Sequence, residues 1–218
     1  MKEVTVIIPV KDEEDGLLFL VDDFRSSELY NDPSIQLSFV IDGRTSDNSR
    51  AVARKLSSTI IDQAETHGKG AAIQQAIEEW KKEPTPFVVL LDADGSYSFD
   101  AVVDVISELQ KGADAVSGSR FILPEGRPEG MSRIHNFGNK ILSLISSIRN
   151  RRKISDLCTG LWGFNSKTLH GIEIESQGFD LEAELAGKMR LRGFVHKEIA
   201  VKWSQRKGGK SKLRSFSD

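Results

Sequence analysis

Short apolar runs alternate with amphipathic segments through the first 120 residues of this chain. The runs are Val4–Pro9, Gln36–Ile41, Thr59–Ile61, Phe87–Leu91 and Ala113–Ser117. Short apolar runs bounded by turn residues are typical of buried strands, and the segments between them have helical spacing. This alternation predicts an α/β fold in which a mainly parallel central sheet has helices on both faces. The length of 218 residues fits one large domain with its own core.

The strand and helix pattern loosens after residue 120. A helix is predicted over Ile134–Ile148, then a mixed segment over Asp156–Phe164, an acidic helix over Phe179–Arg192 and a strand over Val195–Trp203. The first of these helices carries apolar residues at helical spacing. We expect that apolar face to pack on the core, and contact with a membrane is the alternative.

Two carboxylates directly follow the apolar run Phe87–Leu91. Asp92 and Asp94 are separated only by Ala93. In an open α/β sheet, ligands bind at the carboxyl ends of the strands. Two carboxylates there can hold a hard divalent cation such as Mg²⁺ together with substrate phosphates. The alternative is a solvated turn, since Asp and Gly are common turn residues.

Charged side chains also follow other predicted strands at the same edge of the sheet. Asp42 ends the second strand, and Glu13 lies just beyond the end of the first. Gathered carboxylates suggest a nucleotide pocket, because they accept hydrogen bonds from base and ribose; a solvated acidic loop is the alternative. Arg120 follows the fifth strand and Arg133 begins the next helix, so both are candidate clamps for an anion, with surface salt bridges as the default alternative.

Two predicted helices begin with residues that could take part in chemistry. Lys69 lies between two glycines at a helix start, where a phosphate could bind, although a tight turn fits equally well. Asp180 begins the acidic helix, where it could cap the helix or act as a general base. The four histidines have no metal-ligand spacing, so we expect them to be structural or exposed.

Composition limits the compartment and the partners. The formal net charge of −2 excludes a globally basic nucleic-acid binder, so we expect no nucleic-acid partner. The single cysteine excludes an intramolecular disulfide and suits a reducing compartment. No apolar run reaches the roughly 20 residues of a transmembrane helix, so a cytoplasmic protein is expected. The basic end, Lys202 to Arg214, is either a solvated tail or a contact for phosphate or an anionic membrane.

Taken in order, these motifs resemble the inverting family-two glycosyltransferases of the GT-A fold. Within that family the chain is most similar to the dolichyl- or polyprenyl-phosphate sugar transferases of the glucosyl and mannosyl branches, and the resemblance covers nearly the whole chain. It is carried by Ile7-Ile8-Pro9 with its acidic follow-on, Asp42-Gly43, Gly68-Lys69-Gly70-Ala71-Ala72, Asp92-Ala93-Asp94-Gly95, Gly118-Ser119-Arg120, Asp156 before Thr159-Gly160, Gly178-Phe179-Asp180-Leu181-Glu182, Glu198–Trp203 and Gly208–Leu213.

The chain departs from the family pattern at three places. Asp42 stands alone where the family has two aspartates, and Gly160-Leu161-Trp162 lacks the basic residue expected near the acceptor. Asp12 replaces an asparagine.

The resemblance implies a domain organisation and a set of site residues. A single GT-A (Rossmann-like) domain would cover residues 1–203, with a nucleotide-sugar half (1–120) and an acceptor half (121–203), followed by a basic tail (204–218). Mg²⁺ or Mn²⁺ would bind Asp92 and Asp94. The implied nucleotide-sugar site consists of Pro9, Lys11, Glu13, Asp42, Lys69, Asp92 and Arg206. The implied catalytic residues are Asp92, Asp94, Arg120, Arg133 and Asp180, with the two arginines holding the acceptor phosphate.

The implied reaction is the transfer of a hexose from a UDP-glucose or GDP-mannose type of donor to a polyprenyl or dolichyl phosphate. The enzyme would work at the cytoplasmic face of a membrane. The resemblance is compatible with a membrane-protein partner and with a homodimer. One alternative is a soluble glycosyltransferase that acts on a small-molecule or sugar hydroxyl, for which Asp180 would be an essential base. The other is a non-catalytic nucleotide-sugar binding module, against which the intact Asp92, Asp94 and Arg120 argue.

Overall fold

The computed structural model describes residues 1–56, 59–63, 68–122, 128, 130–178 and 180–208. Strands and helices alternate up to the sixth helix, as the sequence predicts for the first 120 residues, and a seventh helix follows before the last strand. Their order is β1 (Val4–Val10), α1 (Glu14–Ser26), β2 (Ile35–Ile41), α2 (Ser49–Ala53), β3 (Thr59–Asp62), α3 (Lys69–Trp80), β4 (Phe87–Leu91), α4 (Phe99–Gln110), β5 (Ala115–Ser119), α5 (Arg133–Asn150), β6 (Leu161–Asn165), α6 (Ser166–Gly171), α7 (Leu181–Leu191) and β7 (His196–Ala200).

The seven strands form one sheet in the order β3-β2-β1-β4-β6-β5-β7. All neighbouring strands are parallel except β6, which is antiparallel to both β4 and β5. The predicted α/β class with a mainly parallel sheet is therefore confirmed. The carboxyl ends of β1, β2, β4 and β5 lie at one edge, and the chain enters β6 at that same edge.

The antiparallel strand β6 begins within the mixed segment Asp156–Phe164 and ends one residue beyond it, and the sequence pattern does not predict this strand. Glycine weakens a strand pattern because it has no side chain to pack. Gly163 is nevertheless required here, since a Cβ at this position would lie 2.3 Å from a side-chain carbon of Val105 in α4. The close approach of α4 to the sheet therefore explains why this strand has an atypical sequence.

Helices cover both faces of the sheet. Buried residues of α1 and α4 share one hydrophobic cluster with β1 and β2, and α1 also packs against α2. Buried residues of α3 and α7 belong to the second cluster, on the other face. The sheet thus supplies the central layer that holds both sets of helices and fixes the positions of the strand ends.

Helix α5 overturns the expectation that its apolar face packs on the core. Its buried residues are Asn139, Ser143, Ser146 and Asn150, while its isoleucines, leucines and Phe137 are exposed. The polar face is buried because it hydrogen-bonds the segment that follows the helix. The backbone N–H groups of Ile154 and Leu157 donate to the hydroxyl oxygens of Ser147 and Ser143, each at 2.9 Å.

None of the helices in the described part of the chain combines the length and the apolar character needed to cross a bilayer.

Candidate active site

Lys69 joins two acidic groups at the carboxyl edge of the sheet. Its ammonium nitrogen lies 2.7 Å from Asp92 Oδ1 and 2.7 Å from Glu182 Oε1. Asp92 follows β4, Lys69 begins α3 and Glu182 lies in the first turn of α7, so three distant segments meet here. Burial and the nearby charges of Asp94 and Glu182 raise the pKa of Asp92, and the Lys69 ammonium opposes that rise.

Arg206 makes a second bridge between acidic groups beside the first. Its Nε lies 3.2 Å from Asp94 Oδ2, and a terminal nitrogen lies 2.9 Å from Glu13 Oε1. Asp94 is held in place by its own turn, because its Oδ1 accepts from the backbone N–H of Ser96 at 2.9 Å. The structure therefore brings together five predicted site residues, namely Glu13, Lys69, Asp92, Asp94 and Arg206.

The chain that carries Arg206 lies along the turn that follows β4. The backbone N–H of Lys207 donates to the carbonyl oxygen of Asp94 at 3.1 Å, and the Ser204 hydroxyl donates to that of Gly95, also at 3.1 Å. The Lys207 ammonium lies 4.7 Å from the centroid of the Phe19 ring. Residues 204–208, the described part of the predicted basic tail, are thus seated on the candidate site, while the basic residues beyond them lie outside the described residues.

A glycine fixes the position of the Asp92 carboxylate. A Cβ on Gly160 would lie 1.9 Å from Asp92 Oδ2 and 2.3 Å from its carboxyl carbon. Only a residue without a side chain allows the entry to β6 to pass so close to this carboxylate. The Thr159-Gly160 block therefore helps to shape the acidic site.

The glycines on either side of Lys69 allow close packing against a neighbouring backbone, and a carbonyl oxygen of that backbone accepts a hydrogen bond from the start of α3. The backbone N–H of Gly70 donates to the oxygen of Gln177 at 3.1 Å. A Cβ on Gly68, whose φ is 107°, would lie 2.3 Å from that same oxygen. The start of α3 thus packs on the chain before α7, and Lys69 contributes through its side chain. His67 precedes this motif and lies outside the described residues.

Asp42 is the carboxylate at the end of β2, and Arg44 occupies both of its oxygens. Arg44 Nε donates to Oδ1 at 3.0 Å and a terminal nitrogen donates to Oδ2 at 2.8 Å. The hydrogen bonds from Arg44 lower the pKa of Asp42 to about 2, and the charge of Lys11 acts in the same direction. Pro9 lies beside this pair, because it is paired with Val40 near the end of β2. The predicted nucleoside residues Pro9, Lys11 and Asp42 therefore lie together.

Arg120 is held by a buried partner. Its Nε and one terminal nitrogen donate to the two oxygens of Asp156 at 2.6 and 2.7 Å, and it also donates to the carbonyl oxygen of Cys158 at 2.8 Å. The Asp156 side chain is fully buried and accepts a further hydrogen bond from Asn139 of α5 at 2.8 Å. Arg120 therefore fixes the segment before β6, and its predicted contact with an acceptor phosphate stays a prediction.

Arg133 and Asp180 are both exposed, and neither pairs with the four acids of the site. These four acids, Glu13, Asp92, Asp94 and Glu182, are called the acidic cluster. Arg133 is the first residue of α5. Asp180 is the N-cap residue of α7, but its carboxylate accepts from the Ser176 hydroxyl without capping the helix backbone. That hydrogen bond lowers the pKa of Asp180. Their assigned roles stay predictions.

Two acidic residues of this site were not assigned a role from the sequence. Glu182 shares Lys69 with Asp92, and Asp156 pairs with Arg120. Both stand in blocks that carry the family resemblance, Gly178–Glu182 and Asp156 before Thr159-Gly160. The signal was present, but only the fold shows which of the two acids in the first block faces the cluster.

The carboxylates after β4 suit a divalent cation of the magnesium type. Among the described residues, no group of three or more His, Cys, Asp or Glu side chains is arranged as a complete metal site. Such a cage is not required, because Mg²⁺ is usually bound by one or two carboxylates plus substrate phosphates and water. Asp92 and Asp94 offer the hard oxygen donors, and each now contacts a cationic side chain.

Comparison with known proteins identifies the family. The family model described as glycosyl transferase family 2 matches residues 5–172. Glycosyltransferase AglJ of Haloferax volcanii is 26% identical over 206 residues, which are 94% of this chain and 64% of AglJ. Polyprenol monophosphomannose synthase of Mycolicibacterium smegmatis is 24% identical over 221 residues, which cover 95% of this chain and 80% of that protein.

Solved structures share the fold. A complex of glucosyl-3-phosphoglycerate synthase from Mycobacterium tuberculosis with Mn²⁺, UDP and phosphoglyceric acid superposes with a TM-score of 0.72 at 15% identity, covering 95% of this chain and 72% of that one. The same enzyme with Mg²⁺ and UDP gives a TM-score of 0.73 at 15% identity, with 95% and 73% covered. The predicted GT-A fold is confirmed by these likenesses.

Proposed function

This chain belongs to glycosyl transferase family 2, and from that premise we propose that it transfers a hexose from a nucleoside-diphosphate sugar to a polyprenyl phosphate. The polyprenol monophosphomannose synthase relative, which aligns over 95% of the chain, supports the acceptor class. The UDP complexes that share its fold support the donor class. UDP-glucose and GDP-mannose are the two donor types to test.

One observation carries the proposal: two carboxylates and two cations meet at the carboxyl ends of the strands. Asp92 and Asp94 provide the hard oxygens, while Lys69 and Arg206 lie within hydrogen-bond reach of them. A diphosphate needs cations around its oxygens, and a leaving diphosphate develops further negative charge. This cluster can supply both requirements from residues that are already in place.

On the donor side, Asp92 and Asp94 would hold Mg²⁺ or Mn²⁺. A bound divalent ion acts as a Lewis acid and stabilises the charge on the departing diphosphate. Lys69 contacts Asp92 and Arg206 contacts Asp94, so the charge of both cations would be available to phosphate oxygens when a donor enters. Lys11, Pro9 and the Asp42–Arg44 pair would lie along the nucleoside.

On the acceptor side, the nucleophile needs little help from a base. A phosphate monoester has a second pKa of about 6, so it is largely dianionic at neutral pH. Positioning beside the anomeric carbon then supplies much of the rate. Arg133, which is exposed, would contact the acceptor phosphate on this side, while Arg120 holds the segment between α5 and β6 in place. Asp180 would matter mainly if the acceptor were a hydroxyl group.

The test is transfer of label into the organic phase. The purified protein is incubated with radiolabelled UDP-glucose or GDP-mannose and with polyprenyl phosphate in detergent micelles, with and without Mg²⁺ or Mn²⁺. We expect label in the lipid fraction with one donor, and none with Asp94→Asn, which keeps an oxygen for Ser96 but loses the charge. Phosphoglyceric acid and free sugars are offered in parallel.

The outcomes separate the alternatives. Label that enters only a water-soluble product identifies a transferase with a soluble acceptor and overturns the lipid assignment. Donor binding without any transfer, measured by calorimetry, identifies a binding module. Full turnover in excess chelator contradicts the metal role.

A further inference from the structure

Helix α5 presents an apolar face to solvent. The exposed fractions of Ile134, Phe137 and Ile148 are 82%, 67% and 70%, and those of Leu144 and Ile145 are 60% and 57%. Large exposed apolar patches on a soluble protein mark an interaction site. Six residues of this helix form the apolar face, namely Ile134, Phe137, Ile141, Leu144, Ile145 and Ile148.

The apolar face is a continuous stripe opposite the buried side of the helix. At 3.6 residues per turn, the six residues fall within an arc of roughly 100°. Asn139, Ser143, Ser146 and Asn150 lie on the other side, buried against the protein. The helix is therefore amphipathic with its polar side inward, which an ordinary surface helix does not show.

The charged residues that flank this stripe are all basic. From residue 130 to residue 155 the sequence contains no acidic residue. Arg133 and Lys140 lie on one side of the stripe and Arg149 on the other, by the same helical geometry. Three more basic residues directly follow the helix, and all six are exposed: Arg133, Lys140, Arg149, Arg151, Arg152 and Lys153.

We propose that α5 lies in the interface of an anionic bilayer, with its apolar face at the acyl boundary and its basic residues among the headgroups. An apolar stripe with cationic flanks matches such a surface in both polarity and charge. A second copy of the chain fits poorly, because two faces of the same positive sign would be brought together. The proposal rests on the proposed function in one respect, since a lipid acceptor requires the enzyme to reach a membrane.

This docking surface is directly connected to the site. Asn139, on the inner side of α5, donates to the carboxylate of Asp156 at 2.8 Å, and Asp156 in turn holds Arg120. Ser143 and Ser147 hydrogen-bond the same segment between α5 and β6. A membrane-bound α5 would therefore place Arg133, Arg120 and the Asp156 segment close to the level of the lipid phosphates.

Co-sedimentation with vesicles tests the proposal. The full chain is mixed with phosphatidylcholine vesicles that contain or lack phosphatidylglycerol, without polyprenyl phosphate and without donor. We expect binding to the anionic vesicles and a fall of roughly tenfold or more in the partition coefficient of the double variant Phe137→Gln/Ile148→Gln. The matched control is Leu18→Gln/Tyr30→Gln, two exposed positions on or after α1 on the other face of the sheet. This control should bind like the wild type.

A charge variant tests the second half of the proposal. Lys140→Glu/Arg152→Glu should lose binding to the anionic vesicles while far-ultraviolet circular dichroism stays unchanged, since both side chains are exposed. Equal sedimentation of the wild type and the Phe137→Gln/Ile148→Gln variant overturns the proposal. So does a wild type that ignores vesicles and instead forms a dimer, or a complex with an acidic protein, that the Gln variant abolishes.

This experiment separates the docking proposal from the proposed function. Vesicle binding without any transfer to polyprenyl phosphate in micelles would leave the docking surface and remove the function. Transfer in micelles without vesicle binding would leave the proposed function and remove the docking surface.

Discussion

At the scale of single residues, the position of Asp92 depends on Gly160. Gly160→Ala would place a Cβ 1.9 Å from Asp92 Oδ2, so the carboxylate must rotate away from its present position. The backbone of Gly160 has no positive φ, so the substitution carries no backbone strain of its own. We expect kcat/KM to fall by about 100-fold or more, because a displaced catalytic group of this kind is costly. Steady-state kinetics and a thermal unfolding curve measure the two effects.

Gly187→Ala is the matched control for this change. A Cβ at Gly187 would meet nothing closer than 4.0 Å, and the residue lies inside α7. Alanine is favoured over glycine in a helix by about 1 kcal/mol, so this variant should be as stable as the wild type or more stable, with normal turnover. Normal turnover of Gly160→Ala would show that the exact placement of Asp92 does not matter.

His196 gives the stability of the protein a defined pH dependence. The side chain is buried, hydrogen-bonds the Ser117 hydroxyl at 2.8 Å and stacks on Trp162. Burial lowers its pKa to about 3 from an ordinary value of 6.5. As the pH is lowered, His196 takes up a proton in the unfolded chain at a higher pH than in the folded protein. The free energy of unfolding therefore decreases as the pH is lowered from about 6.5 to 3, by up to about 1.4 kcal/mol per pH unit.

His196→Gln should remove this contribution. Glutamine retains a partner for Ser117 but does not titrate, so the wild type should lose stability relative to the variant as the pH falls below about 6.5. Urea unfolding at several pH values between about 7.5 and 5 measures the difference. Parallel curves for the two proteins would contradict a neutral, buried His196.

At the scale of elements, the segment 204–208 places Arg206 against the acids of the site but places its neighbour Lys207 elsewhere. Arg206 contacts Asp94 and Glu13, whereas the Lys207 ammonium lies over the Phe19 ring. We expect Arg206→Ala to raise the KM for the donor by about 10-fold or more, because charge-assisted contacts to phosphate are among the stronger hydrogen bonds. Lys207→Ala is the control of equal charge change, and an equal effect of both would reduce Arg206 to a general electrostatic role.

Arg133, at the start of α5, allows a test of the acceptor side that a substitution of Arg120 does not allow. Arg120→Ala would leave the buried Asp156 charge without its partner, a loss that typically costs about 3–5 kcal/mol of stability. Arg133 is exposed, so Arg133→Ala should leave the fold intact. We expect it to raise the KM for polyprenyl phosphate more than the KM for the donor. The opposite order, measured with both substrates varied, would place Arg133 on the donor side.

The strands and helices also show which parts of the fold sequence patterns can predict. Strands β1, β2 and β4 are predicted within one residue because apolar runs bounded by turn residues have few other solutions. The face of α5 is mispredicted because spacing shows that a helix has two faces but not which one is buried. Ser143 and Asn139 are buried only because they satisfy backbone and carboxylate groups outside the helix.

At the scale of the whole molecule, the site could be predicted as a set of residues but not as a set of pairs. The edge of the sheet that gathers Asp42, Asp92 and Glu13 follows from parallel strands alone. Glu182 lies 113 residues from Lys69 and Asp94 lies 112 residues from Arg206, so no local pattern contains these two pairs. The division into residues 1–120 and 121–203 stays a prediction about function, and the sheet order shows that it is not a division of the fold.

Strand β6 has a consequence for biosynthesis. Within the described residues, β5 pairs only with β6 and β7, and both of these strands begin more than 40 residues after β5 begins. A fragment ending at residue 120 should therefore aggregate, while a chain ending at residue 208 should elute without aggregates in size-exclusion chromatography; a folded short fragment that elutes without aggregates would contradict this. On the ribosome, at about 5–20 residues per second, β5 waits on the order of seconds for its first partner. During that time the nascent chain carries an unpaired strand whose five residues are all buried in the finished fold, and an unpaired strand edge of this kind is prone to aggregate.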